Sequence, residues 1–186
     1  MRLISQNKIS IEYIEMNNKQ YNKDKKYGAL NENIVLNILR KKYGDVKKFE
    51  NKYSIFDYYI EDINSNTKIN NKRVSVLFEL KSRRNTIDKF NTQLIGQNKI
   101  DKAKNLLSKD NQLIVIILYK LNSEIYSYTL EKDKEFKTCR LGNFARGSNA
   151  EDLYLIPNDL LEKINFVEND IKEFLPPTSP ITLNFT

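Results

Sequence analysis

The length, composition and charge of the chain restrict what kind of protein it is. Its 186 residues suit one domain with a sizeable core, and a hydrophobic content of 40% argues against a wholly disordered chain. The chain has no histidine and one cysteine, Cys139, which excludes Ser-His-Asp triads, histidine-based nucleases, zinc sites built on His or several Cys, and any intramolecular disulfide.

The N-terminal quarter predicts one amphipathic helix. Residues 1–16 fit either a short strand or a helix, and residues 17–26 are polar and basic, which predicts a loop. Residues 30–43 carry apolar side chains at helical spacing and predict a helix that Gly44 ends.

Two strands, a helix and a buried strand are predicted next. Residues 55–61 and 74–81 read as strands joined by a short polar turn, so we expect them to pair antiparallel. Residues 98–107 predict a helix with Asn98 as its N-cap. Residues 112–119 form a nearly continuous apolar run, which is typical of a central strand buried on both faces.

The C-terminal part predicts another strand at 125–130, a short helix at 158–164 and an extended tail from Pro176. The order of elements predicts an α/β fold in which helices pack against a mixed sheet.

A group of charged residues lies where the two paired strands meet. Side chains alternate along a strand, so Glu79 and Lys81 share one face, and a hairpin brings Asp57 near Glu79. Two converging carboxylates suit Mg²⁺ or Mn²⁺, and the carbonyl of Leu80 is a candidate third ligand. Lys81 is then placed to orient or deprotonate an attacking water and to balance charge on a phosphate.

The series Asp57…Glu79-Leu80-Lys81 resembles the signature of the PD-(D/E)XK nuclease superfamily, although Phe56 stands where that signature has proline. The resemblance implies a restriction-endonuclease-like αβββαβ core and covers roughly residues 28–164. It divides the chain into an N-terminal extension (1–27), a nuclease-like domain (28–164) and a C-terminal tail (165–186).

A narrower resemblance, over residues 78–84 and 92–99, is to PD-(D/E)XK nucleases encoded by large DNA viruses and phages. The resemblance to the superfamily implies that Glu32, on the first helix, helps to bind the metal, often through water. For a viral protein, the expected location is the cytoplasm or nucleus of the host.

The charge distribution indicates where a nucleic acid binds. The net charge is +7, residues 151–186 carry −5, and by difference residues 1–150 carry +12. A basic body favours a nucleic-acid partner, although A/T-rich codons for Lys, Asn and Ile are another source of this charge. The basic residues nearest the charged group either contact DNA phosphates or are ordinary solvated surface: Arg83, Arg84, Lys99 and Lys102.

These observations favour a Mg²⁺-dependent deoxyribonuclease, with endonuclease action expected over exonuclease action. The alternative is an inactive module of the same fold that binds DNA or protein, in which Glu79 and Lys81 form a simple ion pair. A third interpretation gives the acidic C-terminal part a basic protein partner or a homodimer contact, away from the DNA. The lone cysteine fits a reducing, intracellular compartment, and no apolar run is long enough to span a membrane.

Overall fold

A long helix, α1 (Arg2–Tyr43), opens the fold. The computed structural model describes residues 2–51, 53–142 and 150–166, with side chains described from residue 22 onward. The predicted loop at residues 17–26 is wrong, because the helix runs through it. Residues 2–27 contain neither Gly nor Pro, and their five Lys, two Glu and two Gln side chains favour a helix despite their polarity. Gly44 ends the helix as predicted, with φ of +86°.

The central sheet is mixed, as the sequence predicts. In spatial order its strands are β1 (Val46–Lys48), β2 (Tyr58–Glu61), β4 (Lys72–Arg83), β6 (Ile114–Leu121), β7 (Glu124–Thr129) and β10 (Glu162–Lys163). Strand β2 is antiparallel to β4, β4 is parallel to β6, and β6 is antiparallel to β7. A short strand outside this order, β3 (Lys68–Ile69), also pairs with β4.

The two faces of this sheet are covered by different helices. The second half of α1 packs on one face, where Val35 and Leu39 meet Phe78 and Leu118 in a fully buried apolar cluster. Helix α2 (Gln97–Leu107) packs on the other face. The sequence α1-β1-β2-β4-α2-β6 is the predicted αβββαβ arrangement, so the mixed α/β fold class is confirmed.

A second, three-stranded sheet was not predicted. Its order is β5 (Thr92–Gly96), β9 (Glu151–Pro157) and β8 (Lys137–Leu141). Strand β5 leads directly into α2 and pairs antiparallel with β9, with Gly96 opposite Leu153. This sheet therefore brings a distant part of the chain to the beginning of α2.

Two predicted helices differ from the structure. Helix α2 begins at Gln97 with Gly96 as its N-cap, two residues before the predicted cap. The predicted helix at 158–164 is a short 3-10 turn followed by β10, because the N–H of Ile164 pairs at the sheet edge with the carbonyl of Ile125 (2.8 Å). The predicted tail from Pro176 lies outside the described residues. The two helices that the structure describes have no apolar stretch long enough to cross a membrane.

Candidate active site

Asp57 is fixed at the end of the β2–β4 ladder. Its N–H donates to the carbonyl of Phe78 (2.9 Å), and its Oδ2 accepts the N–H of Leu80 (2.7 Å). Alternate residues of a strand direct their backbone groups to the same side, so the Leu80 carbonyl faces the β2 edge, as the Phe78 carbonyl does. The ladder with β2 ends at Tyr58 and Phe78, which leaves the Leu80 carbonyl directed toward the Asp57 side of β4.

Glu79 is a buried carboxylate held by two ammonium groups. Only 1% of the residue is exposed. Lys81 donates to Oε1 (2.7 Å) and Lys99 donates to Oε2 (3.1 Å). Lys99 also donates to the carbonyl of Ile55, so it links α2, β4 and the segment before β2. Asp57, Glu79 and Lys81 are therefore brought together as predicted from the alternation of strand side chains.

The pKa of Asp57 is raised by its burial and by the charge of Glu79. Burial, followed by the charge of Glu79, raises the pKa of Asp57 to about 6, while the Leu80 N–H and the two lysines oppose this shift. A raised pKa from burial and a like charge means that the ionised pair is destabilised in the absence of a further cation. The site therefore has two oxygen-donor side chains whose repulsion a bound cation would relieve.

Tyr119 is a buried neighbour that the sequence did not single out. It lies on β6 opposite Lys81 in the parallel ladder, which places it on the same face of the sheet. Its hydroxyl is buried and has no hydrogen-bond partner in the described part of the chain. Burial raises its pKa, so the phenol stays neutral near the charges of Glu79 and Arg83.

Glu32 lies on α1, and its carboxylate is directed to Lys48 at 2.5 Å. Its carbonyl accepts the hydroxyl of Tyr58 (2.8 Å), which ties α1 to β2. Within residues 22–51, 53–142 and 150–166, no group of three Asp, Glu, Cys or His side chains is placed to hold a metal. The structure therefore groups Asp57 with Glu79 and leaves Glu32 paired elsewhere.

The four predicted DNA-binding residues occupy different environments. Arg84 pairs with Asp24 (2.6 Å) and lies over the ring of Tyr27. Arg83 is exposed, and none of the described carboxylates forms an ion pair with it. Lys102 is exposed on α2, whereas Lys99 is half-buried against Glu79. The sequence placed Lys99 near the site but missed its contact with Glu79, because its position depends on how α2 packs.

A groove of about 610 Å³ opens beside these charges. Lys81, Arg83 and Lys99 line it together with the first turn of α2, and Glu151 and Asp152 line it as well. The acidic residues 151–173 were expected either on the far side of the molecule from the DNA or at a protein contact, and Glu151 and Asp152 instead line the same groove as Lys81. The pairing of β9 with β5 carries the acidic start of β9 to the beginning of α2.

The sequence comparison agrees with the fold and the site geometry. The model of a protein family described as phage putative PDDEXK endonuclease matches residues 28–175, which is most of the chain. No curated protein and no solved structure matches the chain significantly. The family match includes β2, β4 and α2 and the residues that they bring together. The chain therefore belongs to this family, within the PD-(D/E)XK superfamily.

Proposed function

We propose that the protein is a divalent-metal-dependent deoxyribonuclease that cleaves within DNA strands. The observation that carries this proposal is that Asp57 accepts the N–H of Leu80 (2.7 Å), the residue between Glu79 and Lys81, while Lys81 donates to Glu79 at 2.7 Å. Metal-dependent hydrolysis of a phosphodiester uses oxygen ligands for the ion, a positioned water and positive charge near the phosphate. The carboxylates and ammonium groups of this site are suited to these roles without histidine.

The donor atoms at the site suit a hard divalent cation. Asp57, Glu79 and the Leu80 carbonyl offer oxygen ligands, which Mg²⁺ prefers and Mn²⁺ accepts. The raised pKa of Asp57 gives the same indication, since a cation relieves the repulsion between the two carboxylates. Such an ion acts as a Lewis acid and lowers the pKa of a bound water. Glu32 is proposed to act from farther out, through water, once its contact with Lys48 opens.

Lys81 is the proposed group that orients the attacking water. It is half-buried, bonded to Glu79 and exposed to the groove on its other side. From that position its ammonium group holds a water or hydroxide against the phosphate and offsets the charge that develops there. Arg83 and Lys102, together with Arg84, are proposed to contact the DNA backbone outside the reacting phosphate.

One observation favours a second candidate, a nuclease fold that binds DNA without cleaving it. Each carboxylate oxygen of Glu79 accepts a hydrogen bond from a lysine. The two ammonium groups therefore already neutralise the negative charge that a metal would need. In that case the lysines replace the metal permanently. If the protein is a nuclease, at least one of the two lysines leaves Glu79 when the metal ion binds.

Plasmid cleavage separates the two candidates. We expect the purified protein to nick or linearise supercoiled plasmid in Mg²⁺ and to stop when EDTA removes the ion. A circular plasmid has no ends for an exonuclease, so its cleavage indicates an endonuclease. Glu79→Gln keeps the size of the side chain but removes the charge, and we expect it to lose both cleavage and Mn²⁺ binding measured by calorimetry. DNA binding without cleavage by the folded wild-type protein in Mg²⁺ and in Mn²⁺ would favour the inactive module.

A further inference from the structure

A second cavity lies beside the groove, at the other end of β5. Its volume is about 350 Å³, and Arg83 lines both it and the groove. The remaining lining residues are Asn85, Phe90, Thr92, Gln93 and Leu94. Residues 92–94 of β5 line the cavity, and residues 95 and 96 line the groove. At the usual rise of a strand, the centres of these two segments are about 8 Å apart. The two spaces are therefore neighbours, and Arg83 lies at both.

Phe90 exposes its ring on a fixed backbone. Phe90 is 54% exposed, which is unusual for a large aromatic residue. Its own carbonyl and that of Ile87 both accept the side-chain amide of Asn158, and the N–H of Asn158 donates to the carbonyl of Asn91 (3.1 Å). The side chain of Gln93 in turn donates to Asn158 Oδ1 (3.1 Å). These bonds hold the backbone of Phe90, and the ammonium of Lys89 lies over its ring, 5.5 Å from the centroid. An exposed ring on a held backbone is suited to stacking rather than to packing in a core, and a base that stacks on it displaces Lys89 or takes the opposite face.

Arg83 supplies the positive charge that a nucleic-acid strand needs between the two spaces. It is exposed, and among the carboxylates that the structure describes none forms an ion pair with it. Its guanidinium matches a phosphate group in shape and charge. A phosphate at Arg83 would lie between the groove with Lys81 and the cavity with Phe90.

We propose that the cavity binds an unpaired nucleobase of the DNA strand whose neighbouring phosphate lies in the groove. The base stacks on Phe90, and Arg83 contacts the backbone between base and reacting phosphate. Every base has a π-face, so stacking on an aromatic ring holds single strands with little sequence preference. A base inside a duplex reaches such a ring only after it leaves the stack. This inference rests on the proposed function and specifies its substrate as DNA with unpaired nucleotides beside the cleaved bond.

Binding in EDTA tests the cavity without cleavage. The probe is a short fluorescein-labelled oligothymidylate followed by anisotropy, and its matched partner is an abasic oligonucleotide of equal length, which keeps the phosphates and lacks the bases. We expect Phe90→Ala to weaken oligothymidylate binding roughly 5- to 150-fold and to leave abasic binding unchanged, since the loss is that of one stacked base. Phe90→Trp should retain the affinity.

Ile63→Ala is the matched control, because Ile63 is 80% exposed, lies in the turn after β2 and lines neither space. Equal affinities of Phe90→Ala and Ile63→Ala for oligothymidylate would overturn the inference. So would a loss for the abasic strand as large as that for oligothymidylate, or an equal loss for a duplex. If wild-type protein cleaves plasmid but Phe90→Ala binds normally, only this inference fails. If the folded wild-type protein binds neither strand but cleaves plasmid, again only this inference fails. If it also fails to cleave plasmid, the proposed function fails with it.

Discussion

The two faces of strand β4 serve different purposes, although their residues alternate along the same few positions. Phe78 and Leu80 face α1 and join an apolar cluster, and Phe78 is fully buried. Glu79 is almost as buried on the opposite face, where its neighbours are the ammonium groups of Lys81 and Lys99. Phe78 and Glu79 are therefore buried to a similar extent, Phe78 in an apolar cluster and Glu79 among charged groups.

The difference indicates which of these residues stabilise the protein and which are available for chemistry. Burial of apolar side chains contributes favourably to folding, about 25 cal/mol per Å² of apolar surface. Burial of charges is expensive even when they are paired, so a buried ion pair is poor evidence for stability. Substitution of the apolar residues on the α1 face should therefore lower the stability of the protein, as should substitution of Leu77, which belongs to the apolar cluster under α2. Substitution of Glu79 or Lys81 should instead lower its activity.

The largest expected effect is on catalysis and comes from Lys81, which contacts Glu79 and lines the groove. Lys81→Met keeps much of the aliphatic stem and removes the charge that holds the water. We expect the rate of plasmid nicking to fall about 10²- to 10³-fold, the usual loss when one preorganised donor to a transition state is removed. Lys109→Met is the control, because Lys109 is an exposed lysine beyond the far end of α2, and the groove is lined by the beginning of that helix. Equal nicking rates for the two variants would remove Lys81 from the proposed chemistry.

The largest expected loss of stability comes from the α1 face. Leu118 is fully buried between α1 and the sheet. Leu118→Ala should lower the free energy of unfolding by about 2–5 kcal/mol, because it removes buried methyl groups and leaves a cavity. Urea unfolding measures this change, and Mn²⁺ binding should remain, since Leu118 faces away from the carboxylates. A loss of metal affinity in the folded variant would show that the two faces are not separable.

Asp57→Asn should separate stability from activity in the opposite direction. The amide oxygen of asparagine can still accept the N–H of Leu80, but the buried charge is gone. The metal-free variant should be about 1–3 kcal/mol more stable than wild type at neutral pH, with the range allowing for the partial exposure of Asp57. It should also lose cleavage, since it lacks a metal ligand. Urea unfolding in EDTA and plasmid nicking in Mg²⁺ test the two halves.

The pH dependence of this difference follows from the pKa of Asp57. Its pKa rises from 3.8 to about 6 in the folded protein, so between these values the folded state keeps a proton that the unfolded state has lost. The stability that Asp57 contributes is therefore present at low pH and lost as the pH rises toward 6. The advantage of Asp57→Asn should be small near pH 4, grow up to pH 6 and stay constant above it. An advantage independent of pH would mean that charge is not its source.

The parts of the site that the sequence predicts are those that depend on local geometry. Alternation along β4 places Glu79 with Lys81, and the short connection between β2 and β4 brings Asp57 to them. The apolar run that became β6 predicts a buried central strand for the same reason, since a strand buried on both faces has no polar positions.

The parts that escaped prediction depend on pairing between distant segments. Strand β5 is short and pairs with β9, more than fifty residues later, where a polar beginning conceals the strand pattern. That pairing brings Glu151 and Asp152 into the groove, which their charge alone had argued against. Lys99 escaped for a related reason: a lysine on a helix looks solvated until the packing of that helix is known.

The comparison extends to the surface at the end of β4, where two adjacent arginines differ in their partners. Arg84 is paired with Asp24 and lies over Tyr27, whereas Arg83 lines the groove and forms an ion pair with none of the described carboxylates. A cation that neutralises a DNA phosphate releases counterions, so its loss reduces the slope of log affinity against log salt by about 1. We expect this reduction for Arg83→Ala and a smaller one for Arg84→Ala, because Arg84 must first leave Asp24. Binding of one DNA fragment, measured across a salt series in EDTA, gives both slopes. Equal reductions would mean that the Asp24 pair opens on binding, and an unchanged slope for Arg83→Ala would place the backbone away from the groove.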